Sequence, residues 1–401
     1  MCRWPQFEVA GLPLTARVLN LVHERGRVAR AEVTSTLGAA RGATGDAIAE
    51  LVGLGLVRVC EPVRAGTRGR PSPTLAAEPG GPVAIAAQVT PIGLDLAVVG
   101  LHAEIVARHR LALPDHIDDP ARVIGALARA VTRLAEESGR ACVGVGVGVA
   151  GMVRDEDGLV RSAIHLGWRD VPAGDLLAAA VPAGLPVVVR RDAALVAMAE
   201  HRHGAGRDAG TLLVVTGHHW GVGGALLGGG VSPHGTHLEV GHLVLDPRGR
   251  RCACGQRGCL ETYTDGNALL RAAGLPESAD SAASERLLDS ARAGEPAALA
   301  AAEEVARRLG IGLTSLVNII NPDRVVCTGT FAALLALARD DVLHPSRRSV
   351  VATLDNPHTT PGAVEDPVLV GAAESVFLPL LRDPRTPLFR TDRPGGGVPA
   401  P

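Results

Sequence analysis

The chain has 401 residues, enough for two or three domains at roughly 150 residues each. A net charge of -2, with 20% charged and 46% hydrophobic residues, excludes wholesale disorder and any global attraction to polyanions or membranes. Four Phe, three Trp and one Tyr are too few for a single-strand stacking platform, and the absence of lysine excludes a lysine nucleophile or a P-loop lysine.

Glu8 interrupts any apolar signal-peptide region, and no uncharged apolar run reaches the ~18 residues a membrane helix needs. Three of seven cysteines crowd into Cys252–Cys259 rather than spreading as disulfide pairs would. The expectation is a reduced, cytoplasmic protein.

Residues 14–60 carry apolar side chains at helical spacing: Leu14, Val18, Leu19 and Val22, then Ala31, Val33 and Leu37, then Ile48, Leu51 and Val52. Gly26, Gly38 and Gly42 punctuate three short helices, Gly55 stops the third, and Leu56–Val59 reads as a strand. Residues 60–80 are rich in Pro, Gly and Arg. Three helices, a strand and an Arg-rich turn predict a winged helix-turn-helix over residues 10–78. Through residue 78 ten arginines face seven acids, so a basic head precedes an acidic body, as phosphate contact by the head requires. The alternative is an ordinary helical bundle with a solvated basic face.

From residue 83 apolar strands alternate with helices, which predicts an α/β domain over residues 79–382. Val83–Ala87 and Leu94–Val99 read as paired strands, Arg122–Glu137 as an amphipathic helix, and Cys142–Val149 as a strand. Further strands are expected at Pro186–Val189, Leu212–Thr216 and Arg324–Cys327, with helices at Ala193–His203 and Ala297–Ile320. Residues 383–401, with five Pro and a Gly triplet, read as a disordered tail.

His242, Cys252, Cys254 and Cys259 offer one imidazole and three thiols within 18 residues, a donor set that suits a closed, structural zinc site. Gly255 and Gly258 let that loop turn tightly. The alternatives are a metal-free thiol cluster or a Cys254–Cys259 disulfide. If zinc takes one ring nitrogen of His242, the other keeps its proton and becomes a fixed donor. With Glu239 and Glu261 beside it, that donor suits a polyhydroxylated ligand.

Two glycine-rich stretches allow several readings. Gly144, Gly146 and Gly148 alternate along a strand, which permits close approach of a ligand or of another backbone. Gly221, Gly223 and Gly224, followed by Gly228–Gly230, read as a hairpin turn that could face phosphate.

Taken together, Glu239-Val-Gly-His242 with Cys252-Ala-Cys-Gly-Gln-Arg-Gly-Cys-Leu-Glu261 resembles the ROK family (repressors, open reading frames and sugar kinases). Gly146-Val-Gly-Val-Ala-Gly151, His165-Leu-Gly-Trp168 and Asn321-Pro-Asp-Arg-Val-Val extend the likeness. Arg30-Ala-Glu-Val33 and Gly69-Arg-Pro71 resemble the DNA-binding head of its repressor branch. The resemblance implies an actin/hexokinase-like body of two α/β lobes with a sugar cleft between them.

It also implies that Asp192 matches the kinase base, which in repressors is a ligand contact, and that Glu239, His242 and Glu261 are further sugar contacts. Arg191 stands where the family usually has Asn, so the ligand could be acidic. The kinases' phosphate-binding Asp-x-Gly-Gly-Thr is matched by Gln88-Val-Thr-Pro-Ile-Gly93, which lacks the acid, while Pro91 lacks an N–H. In the head, Arg41, Thr44, Arg58, Arg64, Arg68 and Arg70 are the candidate DNA contacts. The expectation is a sugar-responsive DNA-binding repressor, a homodimer or homotetramer with structural Zn2+, that binds its effector without phosphorylating it. The alternative is an ATP-dependent sugar kinase with a regulatory head.

Overall fold

The computed structural model describes residues 11–61, 73–113, 117–228, 236–347 and 358–390. At the N-terminus, helices Leu14–Arg25, Arg30–Leu37 and Arg41–Gly53 pack with a three-stranded antiparallel sheet ordered Arg27–Ala29, Thr74–Ala77, Val57–Cys60. The apolar stripe of the first helix (Val18, Leu19, Val22) meets Val33, Ile48, Leu51, Leu56 and Leu75 in a dry centre. Gly38 ends the second helix in the left-handed region at φ 60°.

The body is built on two five-stranded sheets. The first runs Val187–Arg191, Cys142–Val149, Val83–Thr90, Gly93–Gly100, Ile105–Ala112, with its first three strands parallel. Period-2 alternation sends Val83, Ile85, Ala87 and Val89 to one face, against Val123, Leu127 and Val131 of helix Pro120–Ser138. Asp119 caps that helix by accepting from the Ala121 and Arg122 amides. The second sheet runs Thr236–Leu238, Val222–Gly228, Thr211–Gly217, Arg324–Gly329, His358–Pro361. Its outer face carries the long helix Pro296–Ile320.

Helices Asp192–His203 and Pro367–Arg382 lie between the two sheets. Their shared core takes in Ala84 and Ala86 of the first sheet, Leu212 and Val214 of the second, and Leu19 and Val22 of the head. One continuous apolar cluster therefore joins the N-terminal unit to both lobes.

Of the alternating glycines of Cys142–Val149, Gly144 and Gly146 admit protein backbone and Gly148 admits the side chains of Val368 and Leu195. A Cβ on Gly146 would lie 2.0 Å from the Ala372 carbonyl oxygen, and one on Gly144 2.8 Å from that of Pro186. The Gly221–Gly224 run is not a turn. His218–Gly221 makes the turn, and Val222–Gly228 is a strand whose Gly223 and Gly224 pack against Ala193 and Val240. Gly229 and Gly230 lie outside the described residues. In the expected tail, Asp383–Arg390 departs from disorder: Phe389 and Cys142 exchange backbone hydrogen bonds at 2.8 and 3.0 Å. Residues 391–401 lie outside the described residues.

Candidate functional site

Three parallel strands of the first sheet end at one edge, and their carboxyl ends supply a cleft between the lobes. Gln88–Pro91 spans the end of the Val83–Thr90 strand, Ala150–Met152 follows the Cys142–Val149 strand, and Arg191–Asp192 lies where the Val187–Arg191 strand gives way to a helix. The opposite wall comes from the hairpin residue Trp220 and from the segment carrying Glu239, His242 and Glu261. The cavity measures about 280 Å3. All five residues expected to touch ligand, Arg191, Asp192, Glu239, His242 and Glu261, line it.

Their roles differ. Asp192 is the first residue of its helix, 5% exposed, and its Oδ1 accepts from the Ala193 amide at 2.7 Å. Arg191 is 4% exposed, with Nη1 2.9 Å from Glu239 Oε1 and Nη2 donating to the Leu238 carbonyl at 3.0 Å. Its charge is therefore neutralised inside the wall, which removes the reason to expect an acidic ligand. His165, which sequence reasoning quoted only as part of a motif, also lines the cavity, and burial pushes its imidazole below the ordinary value. Trp220 was missed altogether, because a lone aromatic beside a turn carries no periodic signal.

Next to the cleft, His242, Cys252, Cys254 and Cys259 bring their ligand atoms within 4.8 Å of one another. Sγ of Cys254 and of Cys259 stand 3.7 Å apart, and His242 Nδ1 is 3.7 Å from Cys252 Sγ. Four ligands around one tetrahedral ion at about 2.3 Å stand about 3.8 Å apart, so the donors fit a metal, whereas a disulfide needs about 2.05 Å. Gly258, at φ 70°, presses on the Asp246 carbonyl where a Cβ would sit at 1.6 Å, and Gly255 turns the loop at φ 96°. Because Nδ1 faces the thiols, Nε2 is the nitrogen on the Glu239 side, at 3.8 Å from Oε2. Cys252 Sγ also lies 2.8 Å from Glu261 Oε1, tying the cluster to the cleft wall.

The candidate DNA contacts divide. Arg41 opens the helix Arg41–Gly53 and is exposed, as is Arg58 on its strand. Thr44 is fully buried and its hydroxyl donates to the Ala40 carbonyl at 3.0 Å, so it reaches no partner outside the head. An inward position one turn into the helix explains the miss. Arg64, Arg68 and Arg70 lie outside the described residues.

A two-lobe α/β body with a cleft at its strand ends, a thiol–imidazole cluster beside that cleft and an N-terminal helical unit define the two-lobe ROK architecture. Residues 90–374 match the ROK family, and the chain belongs to it. It is 28% identical over 330 residues to the DNA-binding transcriptional repressor Mlc of Escherichia coli K12, covering 77% of this chain and 79% of that protein. It is 32% identical over 276 residues to a glucokinase of Streptomyces coelicolor, covering 63% and 82%. A crystal structure of a ROK family transcriptional regulator, a homologue of E. coli Mlc, superimposes with a TM-score of 0.69 at 22% identity, over 92% of this chain and 96% of that one. Relatives thus include both repressors and kinases. Among the described residues, no helix is long and apolar enough to cross a membrane.

Proposed function

We propose that this protein is a cytoplasmic, sugar-responsive transcriptional regulator, most simply a repressor, that binds a sugar or sugar derivative in the cleft without phosphorylating it. One observation carries the reading: a unit of three helices and a three-stranded sheet, with Arg41 and Arg58 exposed, precedes the family body. We read that order of elements as a winged helix-turn-helix, whose third helix would enter a major groove. A homodimer or homotetramer would set two heads on a palindromic operator.

In the cleft, Asp192 and Glu261 offer carboxylate oxygens to sugar hydroxyls, while His242 Nε2–H donates. His242, Cys252, Cys254 and Cys259 would hold a zinc ion. Bound there, zinc supplies a rigid cross-link with no open position for water. Its consequence for this chain is a fixed His242 ring beside Glu239. Arg191 holds Glu239 in the wall, and Trp220 and Met152 line the sides of the cleft, where they would flank a sugar ring.

The kinase reading rests on Asp192, which stands where a base would take a hydroxyl proton. Against it, Gln88 replaces the acid that would hold a metal, and Pro91 removes an amide from the phosphate cradle. Fluorescence anisotropy against the DNA upstream of the protein's own gene, with scrambled DNA as control at two salt concentrations, tests the regulator. Saturable binding that survives the higher salt only on the upstream DNA supports it, and equal binding to both overturns it. ADP release across a sugar panel, lost in Asp192→Ala, would establish the kinase instead.

A further inference from the structure

The end of the helix Asp192–His203 remote from the cleft makes a buried polar junction with the head. Glu374, on Pro367–Arg382, is 1% exposed and lies at its centre. Its Oε1 accepts from His23 Nε2 of the head at 2.7 Å and from His203 Nε2 at 2.8 Å, while Arg202 Nε approaches Oε2 at 3.3 Å. Arg202 also reaches into the head directly, donating through Nη2 to Asn20 Oδ1 at 2.9 Å and to Glu24 Oε1 at 3.3 Å. Asn20 in turn donates to the Leu381 carbonyl at 2.7 Å, and Arg207 to the Glu24 carbonyl at 2.9 Å.

His23, His203 and Glu374 also have the composition of a metal site. The hydrogen bonds oppose that use. The His102 amide donates to His23 Nδ1 at 3.0 Å, so the His23 proton sits on Nε2, the nitrogen a metal would need. The junction is a proton-satisfied contact between head and body.

The same helix begins in the cleft at Asp192 and ends at this junction, about 15 Å away at 1.5 Å per residue. Its middle cannot absorb a displacement. Ala193 to Ala199 are all buried, and a Cβ on Gly371 would fall 1.9 Å from the Leu195 carbonyl oxygen, so the two central helices touch backbone to backbone. Glu200 fixes the next loop by accepting from the Ala205, Ala363 and Val364 amides at 2.8 to 3.1 Å. Close-packed interiors of this kind pass a shift on rather than damp it.

We propose that Asp192–His203 is the rod that couples the cleft to the head, with Glu374 its output contact, so that a change at Asp192 alters how firmly helix Leu14–Arg25 is held. Asp192 senses the cleft, Arg202 and His203 move with it, and Glu374 transfers the movement to His23. Glu374 is a positioning residue, since it touches no ligand. The inference rests on the reading of the cleft as the effector site and of the head as the DNA-binding unit.

Hydrogen–deuterium exchange of the full-length protein tests the coupling without requiring the natural effector. Asp192→Asn should change exchange in Leu14–Arg25 by about threefold or more, while helix Ser281–Arg292, outside the rod, stays unchanged. In a Glu374→Gln background the same Asp192→Asn change should lose most of its effect, the remainder passing from Arg202 to Asn20 and Glu24. Should Glu374→Gln melt too low to measure, Arg202→Met combined with His203→Asn serves as the second background, because together they remove the rod's contacts to Glu374, Asn20 and Glu24 and leave His23–Glu374 intact. An unchanged head in Asp192→Asn, or a full effect persisting in either background, overturns the proposal. D-glucose, followed by intrinsic fluorescence with Trp220→Phe as the blank, reports on the cleft separately. No glucose response beside an intact exchange coupling counts against a glucose-type effector and supports the rod.

Discussion

Arg191 and Glu239 form an ion pair at 2.9 Å in the wall of the cleft, with Arg191 almost wholly buried and Glu239 partly exposed. The pair takes one carboxylate oxygen away from any ligand. Arg191→Asn places there the residue that the family resemblance leads one to expect and frees that oxygen. A hydrogen bond to a charged group contributes about 1.5–3 kcal/mol. Affinity for D-glucose should therefore rise about tenfold, measured by calorimetry or by Trp220 fluorescence. A variant that folds and binds glucose no better than wild type would mean that Glu239 does not face the ligand.

The thiol–imidazole cluster predicts one zinc ion per chain by elemental analysis. Cys254→Ser should lower that content sharply and reduce thermal stability. Because His242 is both one of the four candidate metal donors and a cleft residue, zinc removal should also weaken binding of whichever sugar the cleft takes, by about tenfold, the scale on which losing the partners that orient a metal site costs function. Unchanged affinity after complete removal would separate the two roles.

The head–body junction carries a pH dependence whose sign follows from His23. Burial holds its imidazole at about 4, against an ordinary value of 6.5, despite the neighbouring Glu374. Below 6.5 an undocked head takes up a proton that the docked head refuses, so docking weakens as pH falls from 6.5 towards 4. Glu374 is held well below the ordinary carboxylate range by His23, Arg202 and His203, which outweigh its burial, so its contribution is lost in the same direction at still lower pH. The groups facing His23 are Glu374, Arg202, His203 and the His102 backbone, and none supplies a second acceptor for an imidazolium. The His23 effect is on the order of 3 kcal/mol at full strength. The urea midpoint of the head should fall between pH 7 and pH 5, and His23→Gln should flatten that slope. An equally steep slope in the variant would assign the effect elsewhere.

Much of the site was legible in the chain because its signals are local. The four candidate metal donors sit within 18 residues, and Arg191 ends, with Asp192 directly after it, a strand that its apolar run announces. The junction was not legible, since His23 and Glu374 are 351 residues apart and each looks like an ordinary polar residue on its own helix. Helix Pro367–Arg382 was missed for a related reason. It lies between two sheets and is buried from Val368 to Phe377, so it lacks the polar face by which an amphipathic helix declares itself. Thr44 misled because its residue type suits a base contact while its position faces inward.

The backbone contact between the two central helices gives the most direct test of the packing. A Cβ at Gly371 would lie 1.9 Å from the Leu195 carbonyl oxygen, and one at Gly146 would lie 2.0 Å from that of Ala372. Neither obstacle is a side chain able to rotate away, so each alanine must push a helix off its neighbour. Overpacking of this kind costs about 1–3 kcal/mol, and rigid backbone on both sides favours the upper end. Gly42, by contrast, sits in the exposed first turn of Arg41–Gly53 with open space where a Cβ would go. Gly42→Ala should be neutral or stabilising by about 0.5–1 kcal/mol, through helix propensity alone. Urea midpoints of the two variants should therefore move in opposite directions from wild type. If Gly371→Ala left the midpoint where it was, the helices would have slack between them, and the coupling through Asp192–His203 would lose its mechanical basis.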